Sequence, residues 1–337
     1  IVSDELLAYF ETFINLWLLT PITGFGVVTN LLNILVFWRQ GFKDGVNISM
    51  TTIACWDLLK CGTGLIHRMY GPVGLVSTAA AISWQNITFP VASYTPIFAG
   101  YVSYALTTYV SIERCLCVSK PFTVKALFTP RLTFCAIATI SIVVFGSYVV
   151  MYFIHEIAFV FAPNFNTTVA IYRYTSFFFA NQAIVMVYYK YVGILLPFAS
   201  FTVLCLCSAT TVYQLRKSSR LLHKEKNGTT RNSEFSRKIK SGISLREKQV
   251  VKMLLAVVMV NIGNLFPRIV FYVAQLVEPE LYLLRRYHNM FGAVAVWLFV
   301  LDILKASINF FLFLSMGSLF RIKFYAMFGS WGRPGKI

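Results

Sequence analysis

Several ionisable side chains fall inside long apolar runs, where a charge is expensive, and their spacing says what they can do. Asp57 and Lys60 are three residues apart, as are Asp302 and Lys305. On a helix each such pair lies on one face. An ionised group at the centre of a membrane helix costs roughly 2.5–3.5 kcal/mol on insertion scales. Two acids and two bases in that setting are therefore expected to neutralise one another across helices, Asp57 with Lys305 and Lys60 with Asp302. Glu113 and Arg114 are adjacent at the end of an uncharged run and mark a membrane boundary. His67, Arg68, Lys190 and Arg268 lie towards the opposite ends of their runs. Long basic side chains there either snorkel to the headgroups or receive an anionic ligand group, Arg as a planar fork and Lys as a point charge. The sequence holds no nucleophile–base pair, no phosphate-binding loop and no metal-ligand spacing, so no enzyme, cofactor or metal is expected.

The elements that carry these groups must cross a membrane. The chain is 57% hydrophobic and only 13% charged, against about 25% charged in soluble domains; mean hydropathy is +0.67. Seven spans are expected, at 12–38, 47–70, 92–119, 132–155, 181–215, 246–277 and 287–315. Gly71-Pro72 ends the second, and 84–88 with Pro90 forms a short outer loop before the third. Residues 1–11 are an outer N-terminus, 12–315 the membrane domain with a cytoplasmic loop at 216–245, and 316–337 a short amphipathic helix and tail. The fold class is an all-α seven-helix membrane bundle. The net charge of +17 would suit nucleic acid. Most of the 30 lysines and arginines, however, fall in the loops of one side, as the positive-inside rule requires. That places the N-terminus outside and excludes a nucleic-acid partner. The seven cysteines lie in or beside apolar runs, so no structural disulfide is expected. The apolar run after Glu11 is too long for a signal peptide. Asn86 and Asn166 head glycosylation sequons in outer segments.

Together these features resemble the rhodopsin-like G-protein-coupled receptors over nearly the whole chain, in a divergent branch similar to molluscan peptide and chemosensory receptors. Asn30 in Gly26-Val27-Val28-Thr29-Asn30 matches the span 1 motif, Asp57 the span 2 acid, and Glu113-Arg114-Cys115 the Asp/Glu-Arg-Tyr motif. Trp84 matches the first outer loop, Pro197 and Pro267 the span 5 and 6 prolines, and Asn309-Phe310-Phe311-Leu312-Phe313 the span 7 motif. Glu247, twenty residues before Pro267, matches an acid that pairs with the span 3 arginine. The departures are Phe89 in place of the usual cysteine, Ser141 near the span 4 tryptophan, Asn264-Leu265-Phe266-Pro267 for Cys-Trp-x-Pro, Cys205 for a tyrosine, and both span 7 phenylalanines.

The resemblance implies a plasma-membrane receptor that passes ligand binding outside to a heterotrimeric G protein inside. Glu113, Arg114, Cys115 and Glu247 would form the coupling lock, with Pro197 and Pro267 as hinges. Asn30, Asp57, Lys60, Ser103, Asp302, Lys305 and Asn309 would form a mid-membrane polar network, Lys305 standing where related receptors hold sodium. His67, Arg68, Lys190 and Arg268 would line the pocket for an organic acid, an amino acid or a short peptide. Pro96 and Ile303 occupy the places of the amine-binding aspartate and the retinal lysine, which argues against an aminergic receptor and an opsin. Receptor kinase and arrestin would act on the Ser- and Thr-bearing third inner loop. The alternative is a transporter or channel using the Asp/Lys cluster, against which stand the odd span count and the lack of an inverted repeat.

Overall fold

A computed structural model describes residues 3–119, 128–227, 245–282 and 285–328. The chain opens with helix α1, Asp4–Thr12, and a π-helical stretch, Phe13–Leu19, that run into α2, Thr20–Gln40. Gly41, at φ +84°, ends α2, and Asp44 caps α3, Gly45–Arg68, by accepting from Val46 N–H. A short helix α4, Tyr70–Gly74, leads to α5, Thr78–Ala92, capped by Ser77. Then follow α6, Thr95–Ser119, and α7, Pro130–Gly146, the latter with Thr129 as cap and Pro130 in its first turn. A 3₁₀ stretch, Val149–Phe153, leads to strands β1, His155–Ala162, and β2, Thr167–Tyr174. Helices α8, Ser176–Asn227, α9, Leu245–Val277, α10, His288–Met316, and α11, Ser318–Phe328, complete the chain.

Helices α2, α3, α6, α8, α9 and α10 pack in a closed ring, with α7 against α3 and α6. The arrangement is polar within and apolar without. Asn30, Asp57, Lys60, Ser103, Asn264, Asp302, Lys305 and Asn309 are all buried, whereas Trp38, Ile142, Leu195, Leu206 and Val270 are exposed. Lipid offers backbone and side-chain polar groups no partner, so they must find one inside the bundle. Close approach is built in at Gly26, where a Cβ would lie 2.6 Å from Cys61 Sγ and 2.9 Å from Ser307 Oγ. That lets α2 press against both α3 and α10, as small residues do in membrane bundles.

Among the described residues five helices are long and apolar enough to cross a membrane: Phe13–Gln40, Pro130–Phe153, Ser176–Lys217, Gln249–Val277 and His288–Met316. The expected second and third spans, α3 and α6, are not among them. Their sequences are diluted by the groups they turn inward, Asp57 and Lys60 on α3 and a run of Ser, Thr and Tyr on α6.

Two expectations need correction. First, the chain is mostly helical, as expected, but not all-α, because the connection between α7 and α8 is a strand pair. β1 and β2 pair antiparallel, His155 opposite Tyr174 and Ala162 opposite Thr167. The β-branched and aromatic content of 157–161 and 167–174 favours strands, and Asn166, at φ +47°, closes the turn. Second, 84–88 is not a loop but lies within α5, and the break before α6 comes at Ser93 and Tyr94. Asn86 is therefore helical, its amide donating to Ile82 O at 2.8 Å. Helix α8 runs beyond the apolar span as a polar extension to Asn227.

Phe89 stands where the resemblance leads one to expect a cysteine. Its ring stacks on Tyr172 of β2 at 4.3 Å and meets His155 edge-on. Ser83 Oγ accepts from Ala170 N–H at 3.1 Å. The hairpin is thus held on α5 by rings and a hydrogen bond, and none of the seven cysteines is in a disulfide. Burial among these rings pushes the His155 imidazole below its ordinary range, so it stays neutral at physiological pH.

Candidate functional site

The polar centre is built around Asp57, which has no exposed surface. Lys60, one turn on, places its ammonium 3.2 Å from Oδ1, and Lys305 of α10 lies 3.6 Å from Oδ2. Ser103 of α6 donates to Oδ1 at 2.9 Å and the Asn309 amide to Oδ2 at 3.2 Å. Three helices therefore meet on one carboxylate, and the expected Asp57–Lys305 pair forms.

The expected Lys60–Asp302 pair does not. Asp302 is held by the Arg268 guanidinium of α9, by the Tyr104 hydroxyl of α6, and by the Asn264 amide at 2.7 Å. Lys60 has an acid one turn away on its own helix and need not cross the bundle. Arg268, with a forked head, reaches Asp302 from the facing helix. Asn30 is also outside this network. Its amide donates to Gly26 O at 2.9 Å and to Ala306 O at 3.1 Å, fastening α2 to the backbone of α10.

Towards the end of the bundle that carries the hairpin, the four expected ligand residues have separate partners. Arg268 is buried and ion-paired, with a further contact to Tyr272 Oη at 3.4 Å. Tyr272 in turn shares a hydrogen bond of 2.9 Å with Tyr101. Lys190 stands over the Tyr282 ring at 5.6 Å. His67 Nδ1 is 2.8 Å from Thr88 Oγ1, tying α3 to α5. Arg68 does not snorkel: it is 5% exposed. Its Nη1 donates to Gly64 O at 2.8 Å, its Nη2 to Asn15 Oδ1 at 3.2 Å, and it lies 4.8 Å over Phe299. Among the described residues no carboxylate pairs with it.

At the opposite end Glu113 is buried and holds Arg114. Arg114 lines a small cleft between α6, α8 and α9, together with Ser111, Ser208, Thr211, Val251 and Leu254. Cys115 is half-buried and in no disulfide. Glu247 lies on α9, but its side chain is outside the described residues. Pro197 and Pro267 sit within unbroken helices, α8 and α9.

Sequence reasoning missed Tyr104, Asn264, Tyr101, Tyr272 and Asn15. One signal was available: Asn264, Arg268 and Tyr272 recur every fourth residue and so share one face of α9. Tyr104, uncharged beside Ser103, gave none.

Residues 21–255, more than half of the chain, match the family model of the serpentine type 7TM GPCR chemoreceptor Srx. No curated protein matches the chain. The match supports the chemosensory reading and does not extend to the molluscan likeness. It lends nothing to a transporter or channel. A family of this kind has a G protein and an extracellular ligand as its general partners. The apolar helices and the matched model together make this a multi-pass membrane receptor, and the chain belongs to the Srx family of serpentine 7TM GPCR chemoreceptors.

Proposed function

We propose that the chain is a seven-span receptor of rhodopsin-like arrangement at the plasma membrane, with its N-terminus outside, responding to a small anionic molecule or short peptide. The two spans that fall short in hydropathy, α3 and α6, are 24 and 25 residues long. At 1.5 Å per residue that is about 36 Å, enough for a hydrocarbon core of about 30 Å. Both close the ring with their polar groups inward, which supports counting them as spans.

The observation that carries the ligand class is Arg68, a buried guanidinium with only neutral partners among the described residues. Such a group favours an incoming carboxylate or phosphate, which it can bind bidentately. Arg268 is already neutralised by Asp302, and in this reading it relays rather than anchors. Its hydrogen bonds run from Tyr101 and Tyr272 on the outer side to Asp302 and Tyr104 in the centre. A ligand that disturbs the outer tyrosines thereby shifts the position of α9.

Signalling is a shift in population between two arrangements of the bundle. At rest Arg114 is held by Glu113. Agonist favours outward movement of α9 about Pro267, with α8 adjusting at Pro197. The cleft beside Arg114 opens and receives the G protein. Receptor kinase and arrestin act afterwards on the third inner loop. Asn166, exposed at the hairpin turn, is the favoured glycosylation site of the two.

The test is nucleotide exchange on a heterotrimeric G protein by membranes carrying the full chain, challenged with organic acids, amino acids and short peptides. One of these classes should drive exchange. Arg114→Ala should abolish it, and Arg68→Ala should lower potency at least tenfold, both with normal surface expression. Full exchange in Arg114→Ala, or ligand-gated current in place of exchange, would sink the reading.

A further inference from the structure

Asp57 carries one negative charge and faces two ammonium groups. Lys60 is 1% and Lys305 2% exposed. Neither nitrogen has a hydrogen-bond acceptor in good geometry, although both lie within ion-pair distance of Asp57. Each ammonium has three donors, while the oxygens of Asp57 already accept from Ser103 and Asn309. The nearest other acid, Asp302, is occupied by Arg268, Tyr104 and Asn264. Around Asp57 there is thus one cation too many and a shortage of acceptors. An uncompensated charge away from water is among the costliest arrangements a protein can hold.

One of the two ammoniums faces backbone that carries no side chain. At Gly100 of α6, a side-chain Cβ would find only Lys60 Cε, at 3.7 Å, and Lys60 Nζ, at 3.9 Å, within 4 Å outside the helix itself. The missing side chain leaves α6 bare where it faces the ammonium.

We propose that the Lys60–Lys305 pair binds a small monovalent anion, chloride in physiological media, on the Gly100 side of Lys60. The anion supplies the missing negative charge and accepts the donors that Asp57 cannot. The site is distinct from the ligand pocket and does not depend on how the receptor signals. It inverts the sodium pocket of the receptors the sequence resembles: the same carboxylate is present, but two lysines turn the selectivity from cation to anion.

The experiment needs no agonist. The purified full chain in detergent is unfolded thermally in potassium chloride and in potassium gluconate at equal ionic strength and pH. Gluconate is too large for the site. A ligand that binds only the folded state raises its stability, so the midpoint in chloride should exceed that in gluconate by on the order of 3 °C or more. Bromide should restore it. Gly100→Ala fills the space without altering charge, at ordinary contact distances, and should abolish the difference. Lys305→Met balances the charge and should do the same while holding its midpoint in gluconate. Equal midpoints for the unmodified chain in the two salts would overturn the proposal. So would an equal salt difference in Gly100→Ala, which would mark a general salt effect. If the midpoint ignores the anion but rises with pH, one lysine is neutral and no anion is held. Should Lys305→Met fail to fold, the halide titration of the unmodified chain and Gly100→Ala decide alone.

Discussion

At the scale of single residues, Asp302 and Arg268 show how a membrane interior assigns partners. Both are buried, and each would be costly alone. Removing one partner of such a pair usually costs about 3–5 kcal/mol, much of it from the charge left behind. Arg268→Ala should therefore lower the thermal midpoint sharply, whereas the double replacement Arg268→Met with Asp302→Leu should recover much of the loss. Thermal unfolding in detergent separates the two, and equal losses in both variants would show that the charges matter less than their shape. The presence of these charges was legible in the sequence, because each interrupts an apolar run. Their pairing was not. It depends on which helix faces α10 at the height of Asp302, and there α9 brings an arginine while α3 keeps its lysine for its own aspartate.

At the scale of elements, the hairpin and α5 are the clearest departure from the sequence reading. Strands were hidden by the expectation of a helical bundle, although 167–174 is rich in β-branched and aromatic residues. In the sequence Phe89 reads only as a missing cysteine. In the fold its stack with Tyr172 does part of what a disulfide would do, joining the hairpin to the entrance of α6. Aromatic pairs contribute about 0.5–1.5 kcal/mol beyond the area they bury. Phe89→Ala should loosen the hairpin while leaving the helices intact. Hydrogen exchange should then rise across 155–174 and remain unchanged in α9 and α10. Uniform protection of the hairpin in this variant would mean that the Ser83 and strand hydrogen bonds suffice.

At the scale of the whole molecule, the convergence of α3, α6 and α10 on Asp57 sets its response to ions. In the receptors it resembles, the corresponding carboxylate, serine and asparagine hold sodium. Here the same three groups are present, but Lys305 stands 3.6 Å from the carboxylate. A sodium ion there would meet like charge at close range. Agonist potency is therefore expected to be unchanged when sodium is exchanged for N-methylglucamine at constant chloride. A sodium-dependent shift that disappears in Asp57→Ala would contradict this.

The sequence by itself determined the class of the protein. Apolar run length, the one-sided distribution of basic loops and the ordered motifs from Asn30 to Asn309 are local or additive features, and each is readable without knowing which helices touch. It also singled out the charged residues of the centre, because a charge within an apolar run is conspicuous, but not their uncharged partners Tyr104 and Asn264. Tertiary structure decided everything that depends on the facing surface. It chose Arg268 for Asp302, enclosed Arg68 between Asn15 and Phe299, set Asn30 on the backbone of α10, and left two lysines on one carboxylate. Those outcomes turn on helix rotation and height, which vary by a few ångströms without any change in hydropathy pattern. Charge-pair energies in an apolar interior, by contrast, change steeply over that same distance.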